Sequence, residues 1–508
     1  MARISRTGLG ALALGAALAL SLTAIAHAQP AGRSLGATED EIAPSPALER
    51  LKEFLEVLNG GEPAAIEAYL RSNGVDPLKM PPGPTGMRPL PLIGQAQDLQ
   101  RRSRGFDLVQ VVSADEDDAV AIVRNRLTAD EQGLAIKIES RPPHRVIAFP
   151  LVPSSTLPKS LSAVRAAQSE ETQLGVIGSY LKRLSDADVF SGVVVIARDG
   201  KPVFSQAHGY ADREKKIANT VETPFILASM NKLFTGLAIG QLVEQGKLSY
   251  EDPLAKFVPD YPDAESAKRI RIKHLLTHTA GLNNGFGPAF TASLDRLRSV
   301  QAFIDVAAKE PPKFEPGTNW AYSNIGYQLL GRVIEVVTGE DYYSYIQSRV
   351  FGPAGITRAT FPHYDGDATA AARPYEIEFR GGRLLYVDKL DAHVRRGSPA
   401  GMGLASAPDL IRFANALRAG RIVKPETLRL HASPKPELAS ASYGYGFSTM
   451  ARMARRPLIG HGGNAAGICT EFGALADTPY TIVVLSNSTI STCVSVTGKI
   501  LQVLGPTS

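Results

Sequence analysis

Three short runs in this 508-residue chain hold the residue types that acyl chemistry on a serine needs. The first is Ser229-Met-Asn-Lys232. Residues i and i+3 share one face of a helix, so the Lys232 amine reaches the Ser229 hydroxyl. A serine attacks well only when a base takes its proton. Lysine is that base at neutral pH only after losing about three units from its free pKa, at roughly 4 kcal/mol. Apolar neighbours such as Leu233 and Phe234 favour the loss by desolvation. The same spacing recurs in Ser179-Tyr-Leu-Lys182, where Lys182 reads as the solvated face of an amphipathic helix. Spacing alone therefore decides nothing.

The second run is Tyr322-Ser323-Asn324, the only Tyr-x-Asn in the chain. A tyrosine beside a cationic lysine has its phenolate favoured and can shuttle protons. The bland alternative is a buried tyrosine with a satisfied hydroxyl and Asn324 as a helix cap. The third is His461-Gly462-Gly463, the only His-x-Gly. Paired glycines let a backbone approach a ligand closely, and an edge-strand N–H completes an oxyanion hole. The alternative is a glycine-rich turn with an incidental histidine. Gly460-x-Gly462-x-x-Ala465 mimics a dinucleotide fingerprint, but no βαβ unit follows it. His274 and His278, four apart, invite a zinc reading, yet the adjacent glutamate of the metalloprotease pattern is missing. No metal or cofactor is expected.

Local elements must position these runs. Thr223-Pro224 precedes a helix through Leu233, Leu237, Ile239 and Leu242, which puts Ser229 at or near its start. There the exposed N–H groups and the dipole favour negative charge on oxygen. Pro316-Gly317 turns the chain before Tyr322, and an apolar-periodic helix starts after Asn324. A hairpin over 191–212 turns at Asp199-Gly200. Two strands, Cys469–Ala476 and Tyr480–Asn487, precede a last helix from about Ser491. Early and late strands with helices between predict one antiparallel sheet packed on a helical subdomain, an α+β fold. No G-x-S-x-G elbow occurs, which counts against the α/β-hydrolase fold.

The three runs, in this order, resemble the serine β-lactamase and penicillin-binding-protein superfamily, in its class C-like branch of family VIII esterases and D-peptidases. The flanking "IRIKHLLTHTAGL", "EPGTNWAYSNIGYQLLGRVIEVVTG", "AGMGLASAPDLIRFANAL" and "YGYGF" agree, over about residues 175–505. The resemblance implies Ser229 as the acylated nucleophile, with Lys232 and Tyr322 sharing general-base and general-acid duties. Asn324 would bind the acyl side of the substrate, and the backbone N–H groups of Ser229 and Asn464 would form the oxyanion hole. His461 stands where many relatives have a lysine. It is mostly neutral near pH 7, which favours small neutral esters or amides over a substrate carboxylate. The leading expectation is an esterase. The alternatives are a D-amino-acid peptidase or D,D-carboxypeptidase, a β-lactamase, and a binding protein that keeps the fold without turnover.

Arg3 and Arg6, the apolar run Leu9–Leu22 and Ala26-His27-Ala28 predict a signal peptide over residues 1–28 and a periplasmic or secreted protein. A membrane anchor is the alternative, but the run is short for a bilayer span of about 20 residues. Cleavage takes two of the +5 formal charges, and no basic run with interleaved aromatics suggests nucleic acid. The expected partner is a small ester or amide. Residues 29–45 read as a flexible leader and 153–168 as a linker; the hydrolase domain occupies 169–508. Between them, 46–152 carry helices at 46–58 and 63–70, a proline-rich loop at 80–91 and four strand-like runs from Phe106. This small α+β domain resembles the NTF2-like domains attached to some exported hydrolases. Cys469 and Cys493 lie 24 residues apart, and whether they are bridged is a matter of geometry.

Overall fold

The computed structural model describes residues 43–76, 91–152, 169–285, 287–307, 311–356, 358–361, 371–380, 383–450, 457–488 and 491–504. The expected signal peptide, most of the leader, the loop at 80–90 and the linker at 153–168 lie outside the described residues. The chain divides into two compact units, with the boundary between Ala167 and Gln168.

In the first unit, Ser45 caps helix α1 (Pro46–Gly60): its Oγ accepts from the Leu48 N–H at 3.2 Å. Gly61 ends the helix in the left-handed region at φ 76°. The helical spacing of Leu48, Leu51, Phe54, Leu55 and Leu58 becomes its buried face. Helix α2 (Pro63–Asn73) follows, then α3 (Leu92–Ser103). The sequence reading did not anticipate α3, because its apolar stripe, Leu92, Ile93, Ala96 and Leu99, is sparse among polar residues. Strands β1 (Phe106–Ala114), β2 (Asp118–Asn125), β3 (Glu131–Ile138) and β4 (Val146–Ala148) form an antiparallel sheet in sequence order. A short β5 (Leu151–Val152) also pairs with β3. The helices and sheet share one core around Phe54, Phe106 and Phe149.

The second unit opens with α4 (Glu170–Asp186), where exposed Lys182 pairs with Asp186 at 2.7 Å on the solvent face. Strands β6 (Gly192–Arg198) and β7 (Lys201–His208) form the expected hairpin. Asp199 and Gly200 both take positive φ at its turn, as a tight two-residue connection requires. A helical region carries α5 (Lys232–Glu244), α6 (Asn324–Thr338) and α7 (Ala407–Arg418). The chain then adds β8 (Ser448–Met450), β9 (Leu458–Ala465), β10 (Ile468–Leu475), β11 (Tyr480–Ser486) and α8 (Ser491–Leu504). The sheet order is β8-β9-β10-β11-β6-β7, every pair antiparallel. Early and late strands thus share one sheet, as expected.

Alternation along β10 sorts its two faces. Thr470 and Phe472 turn toward the helical region: Thr470 Oγ1 donates to the Leu227 carbonyl at 3.0 Å, and Phe472 meets Phe413 of α7. Cys469 and Glu471 turn the other way, toward α8. There Cys469 is disulfide-bonded to Cys493, with Cα atoms 5.8 Å apart. No described helix is long and apolar enough to cross a membrane.

Candidate active site

Helix α5 is buried on every side from Lys232 to Leu242, so it is a core helix rather than an amphipathic surface one. Phe234 locks it edge-on against Phe351 and Phe413, with ring centroids 4.9 and 5.0 Å away. Its N-terminus is led in by a 3₁₀ turn, Ala228–Asn231, which carries Ser229. Ala228 holds that turn at φ +45°, a conformation that costs a residue with a Cβ. Two neighbours keep it there. The Leu227 N–H donates to the Gly403 carbonyl at 2.8 Å, and the Met402 N–H donates to the Ala228 carbonyl at 3.0 Å.

Lys232 is fully buried and its Nζ lies 3.3 Å from Ser229 Oγ. It also lies 2.7 Å from Asn324 Oδ1 and 2.6 Å from the Ala400 carbonyl. Burial alone holds the amine well below the usual lysine pKa. Tyr322 shares a hydrogen bond with Ser229, and its ring lies 4.8 Å from Lys232 Nζ. Burial raises the Tyr322 pKa, outweighing the Ser229 bond that lowers it. This corrects the expectation of a favoured phenolate: the lysine that would have stabilised it is itself desolvated toward the neutral amine.

Ser323, not Asn324, caps α6; its Oγ accepts from the Gly326 N–H at 3.1 Å. Asn324 spends both ends of its amide inside the protein. Its Oδ1 meets Lys232, and its Nδ2 donates to Asn284 Oδ1 at 2.6 Å.

His461-Gly462-Gly463 lies within β9, not in a turn. Strand β8 covers β9 only as far as Gly460, which leaves the outer edge of residues 461–465 unpaired by β8. Gly463 sits so tightly against the serine turn that a Cβ there would meet the Leu227 carbonyl at 2.0 Å. Asn464 beyond it is exposed. Gly462 points to the opposite face, where a Cβ would meet Glu471 Oε1 at 2.9 Å. His461 is buried; its Nδ1 donates to the Gly462 carbonyl, so its Nε2 accepts from the Tyr443 hydroxyl at 2.8 Å. Burial first, then Lys232, pushes its pKa down to about 3. His461 is therefore a neutral imidazole.

The structure brings Ser229, Lys232, Tyr322 and Asn324 into one cluster, with His461 joined to its edge through Tyr443. Cys469 and Cys493 stand apart on the far face. Sequence reasoning missed the Ala400 carbonyl, Asn284 and Tyr443, and weighed His278 only as a zinc ligand. The Gly- and Pro-rich run Gly397–Gly403 is the one advance signal for a loop folded against Ser229. His274 and His278 serve separate backbone amides, Arg271 N–H at 3.2 Å and Ser323 N–H at 3.1 Å. Each imidazole thus has its own backbone partner.

An antiparallel sheet with a helical region, and a cluster of serine, lysine and tyrosine, define a serine hydrolase of the beta-lactamase type. The chain belongs to the beta-lactamase family, whose model matches residues 177–497. The Bacillus subtilis protein PbpX, named for penicillin binding, is 31% identical over 272 residues, 53% of this chain and 64% of that protein. The chain thus spans slightly less than two thirds of PbpX. Esterase EstB of Burkholderia gladioli is 28% identical over 305 residues, 52% of this chain and 76% of EstB. The penicillin-binding protein structure from Bacillus halodurans superposes with a TM-score of 0.55 at 25% identity, over 66% of this chain and 98% of that one.

Proposed function

We propose that this protein hydrolyses small neutral esters through an acyl-enzyme on Ser229. The observation that carries the reading is the set of three partners around Lys232 Nζ. A neutral amine has two N–H donors and one lone pair. The Asn324 oxygen and the Ala400 carbonyl can only accept, so they take both donors. The lone pair is left for the Ser229 hydroxyl, which makes Lys232 the base. Ser229 Oγ attacks the carbonyl carbon as its proton passes to Lys232. The carbon–oxygen bond to the alcohol then breaks, and the alcohol leaves with a proton relayed through Tyr322. A water attacks the acyl-serine by the reverse relay and releases the acid and free Ser229. The backbone N–H groups of Ser229 and Asn464 hold the oxyanion, a reading supported by the close packing of Gly463 on the serine turn. Asn324 orients the base.

Substrate neutrality follows from the charges. Neither neutral His461 nor desolvated Lys232 offers a fixed cation to a substrate carboxylate. The name of the relative EstB supports the ester reading. A D-peptidase, which the resemblance to the penicillin-binding-protein superfamily implies, is the second reading; the name of PbpX supports only a penicillin-binding relative. The test is hydrolysis of a short p-nitrophenyl ester by the protein and by Ser229→Ala. Turnover lost in the variant is the expected result. Equal turnover by both would end the acyl-enzyme reading, and cleavage of D-Ala-terminated peptides without esters would select the second. In the same reading the protein is exported, which the Cys469–Cys493 bond supports, since disulfides persist in oxidising compartments. A mature N-terminus at Gln29 is the expected finding. The first unit, three helices on an antiparallel sheet, serves as an NTF2-like accessory domain.

A further inference from the structure

His278 takes no part in the chemistry above, yet it is buried to 1% exposure beside it. It holds the Tyr322 segment at three successive points. Its backbone carbonyl accepts from the Ala321 N–H at 2.9 Å. Its ring lies against Tyr322, with centroids 4.3 Å apart and planes 32° off parallel. Its Nδ1 accepts from the Ser323 N–H at 3.1 Å. The far side of the imidazole is closed by Tyr443 at 4.6 Å and Tyr327 at 5.2 Å. The acceptor nitrogen is what holds the Ser323 amide, and the ring adds packing against Tyr322. Phenylalanine keeps the ring without the acceptor, and asparagine keeps the acceptor.

The backbone gives a second indication. His278 sits at φ +61°, in the left-handed region that a residue with a bulky side chain seldom enters. That conformation turns its carbonyl and its ring toward the same stretch, 321–323. The Nδ1 acceptor also requires the uncharged ring with its proton on Nε2. Burial and the nearness of Lys232 and then His461 keep the ring uncharged, holding its pKa well below the usual histidine value.

We propose that His278 is a positioning residue for the reaction: it fixes the Tyr322 hydroxyl on Ser229 by clamping the backbone on both sides of Tyr322. This rests on the acyl-enzyme reading, and it acts through Tyr322 rather than on the substrate. A misplacement of about 1 Å in a reacting group costs up to roughly a hundredfold in rate. Losing the clamp therefore lowers kcat while leaving ground-state binding nearly intact.

The test uses the full chain with His278→Phe, His278→Ala and His278→Asn. Asparagine tolerates positive φ and places an acceptor oxygen near the position of Nδ1. Hydrolysis of the p-nitrophenyl ester is measured beside amide hydrogen exchange of the peptide containing Ser323. The Phe and Ala variants are expected to lose about tenfold or more in kcat with KM within about threefold, and the Asn variant to recover to within about threefold of the parent. Exchange at Ser323 should quicken in Phe and Ala and stay slow in Asn. The proposal is overturned if Phe or Ala keeps the parental kcat within about twofold, or if Asn falls with them. Unchanged Ser323 exchange in the Phe variant overturns it as well. A parent that turns over no ester would sink the ester reading instead, and the exchange result would still decide the clamp.

Discussion

Glu471→Gln tests how β10 manages a carboxyl that it buries without a partner. Glu471 is 8% exposed, and its Oε2 has no hydrogen-bond partner within the protein. It faces the α8 side of the sheet, where the Thr497 hydroxyl is likewise unpartnered. The one basic residue of that helix, Lys499, lies 5.6 Å from the centroid of the Tyr180 ring of α4. Burial raises the Glu471 pKa from 4.5 to about 7. The folded state therefore holds a proton that the unfolded state releases above pH 4.5. Stability is lost as pH rises from there, and the loss levels off above about pH 7. A gap of this size is worth about 3 kcal/mol, most of it between about pH 5 and pH 8. Glutamine cannot ionise, so the variant should lack this slope and gain on the parent as pH rises. Guanidinium unfolding at both pH values, followed by fluorescence of Trp320, the only tryptophan in the chain, reports the second unit alone. Parallel pH dependences for parent and variant would show that the carboxyl is ionised in the fold, and the reasoning from burial would be wrong.

Other outcomes follow from the same geometry. Lys232→Met keeps the length and burial of the side chain but removes the base, and kcat/KM for a p-nitrophenyl ester should fall by about 10²–10⁴-fold. Thermal unfolding would verify that this variant still folds. In the parent, the acidic limb of the pH–rate profile should report the depressed Lys232 pKa, with activity lost as pH falls and the amine takes a proton. Cys493→Ser opens a 24-residue link and should lower stability by about 3 kcal/mol on loop-entropy grounds. Because the bond lies on the face of β10 away from Ser229, kcat of the folded variant should change little, and a large loss would show that the disulfide also aligns β9.

The serine, lysine, tyrosine and histidine of the site were legible because each sits in a fixed local spacing that a helix or strand turns into a direction. The sheet was legible for the same reason: β6 and β11 are dense apolar runs bounded by turns. The partners that give these residues their chemistry were not. The Ala400 carbonyl reaches Lys232 across 168 residues, and a backbone oxygen has no sequence signature. His278 reaches Ser323 across 45. Tyr322 shows the same limit in its charge state, since neighbours can be guessed from a motif but depth of burial cannot. Here burial decides that the phenol keeps its proton.

The pairing of β6 with β11 also sets an order of events during synthesis. Val193 lies opposite Leu485, so one central strand of the second unit waits for 292 residues before its second neighbour exists. At about 5–20 residues per second, that wait lasts on the order of 15–60 s. Throughout it, one edge of the β6–β7 hairpin stays open, a long apolar template of the kind that recruits other chains. The strands of the first unit, confined to residues 106–152, finish within one short stretch of synthesis. A ribosome making this protein thus releases one unit that can close early and one that closes only near the last helix. Any factor that shields nascent strands has most to do between those two moments.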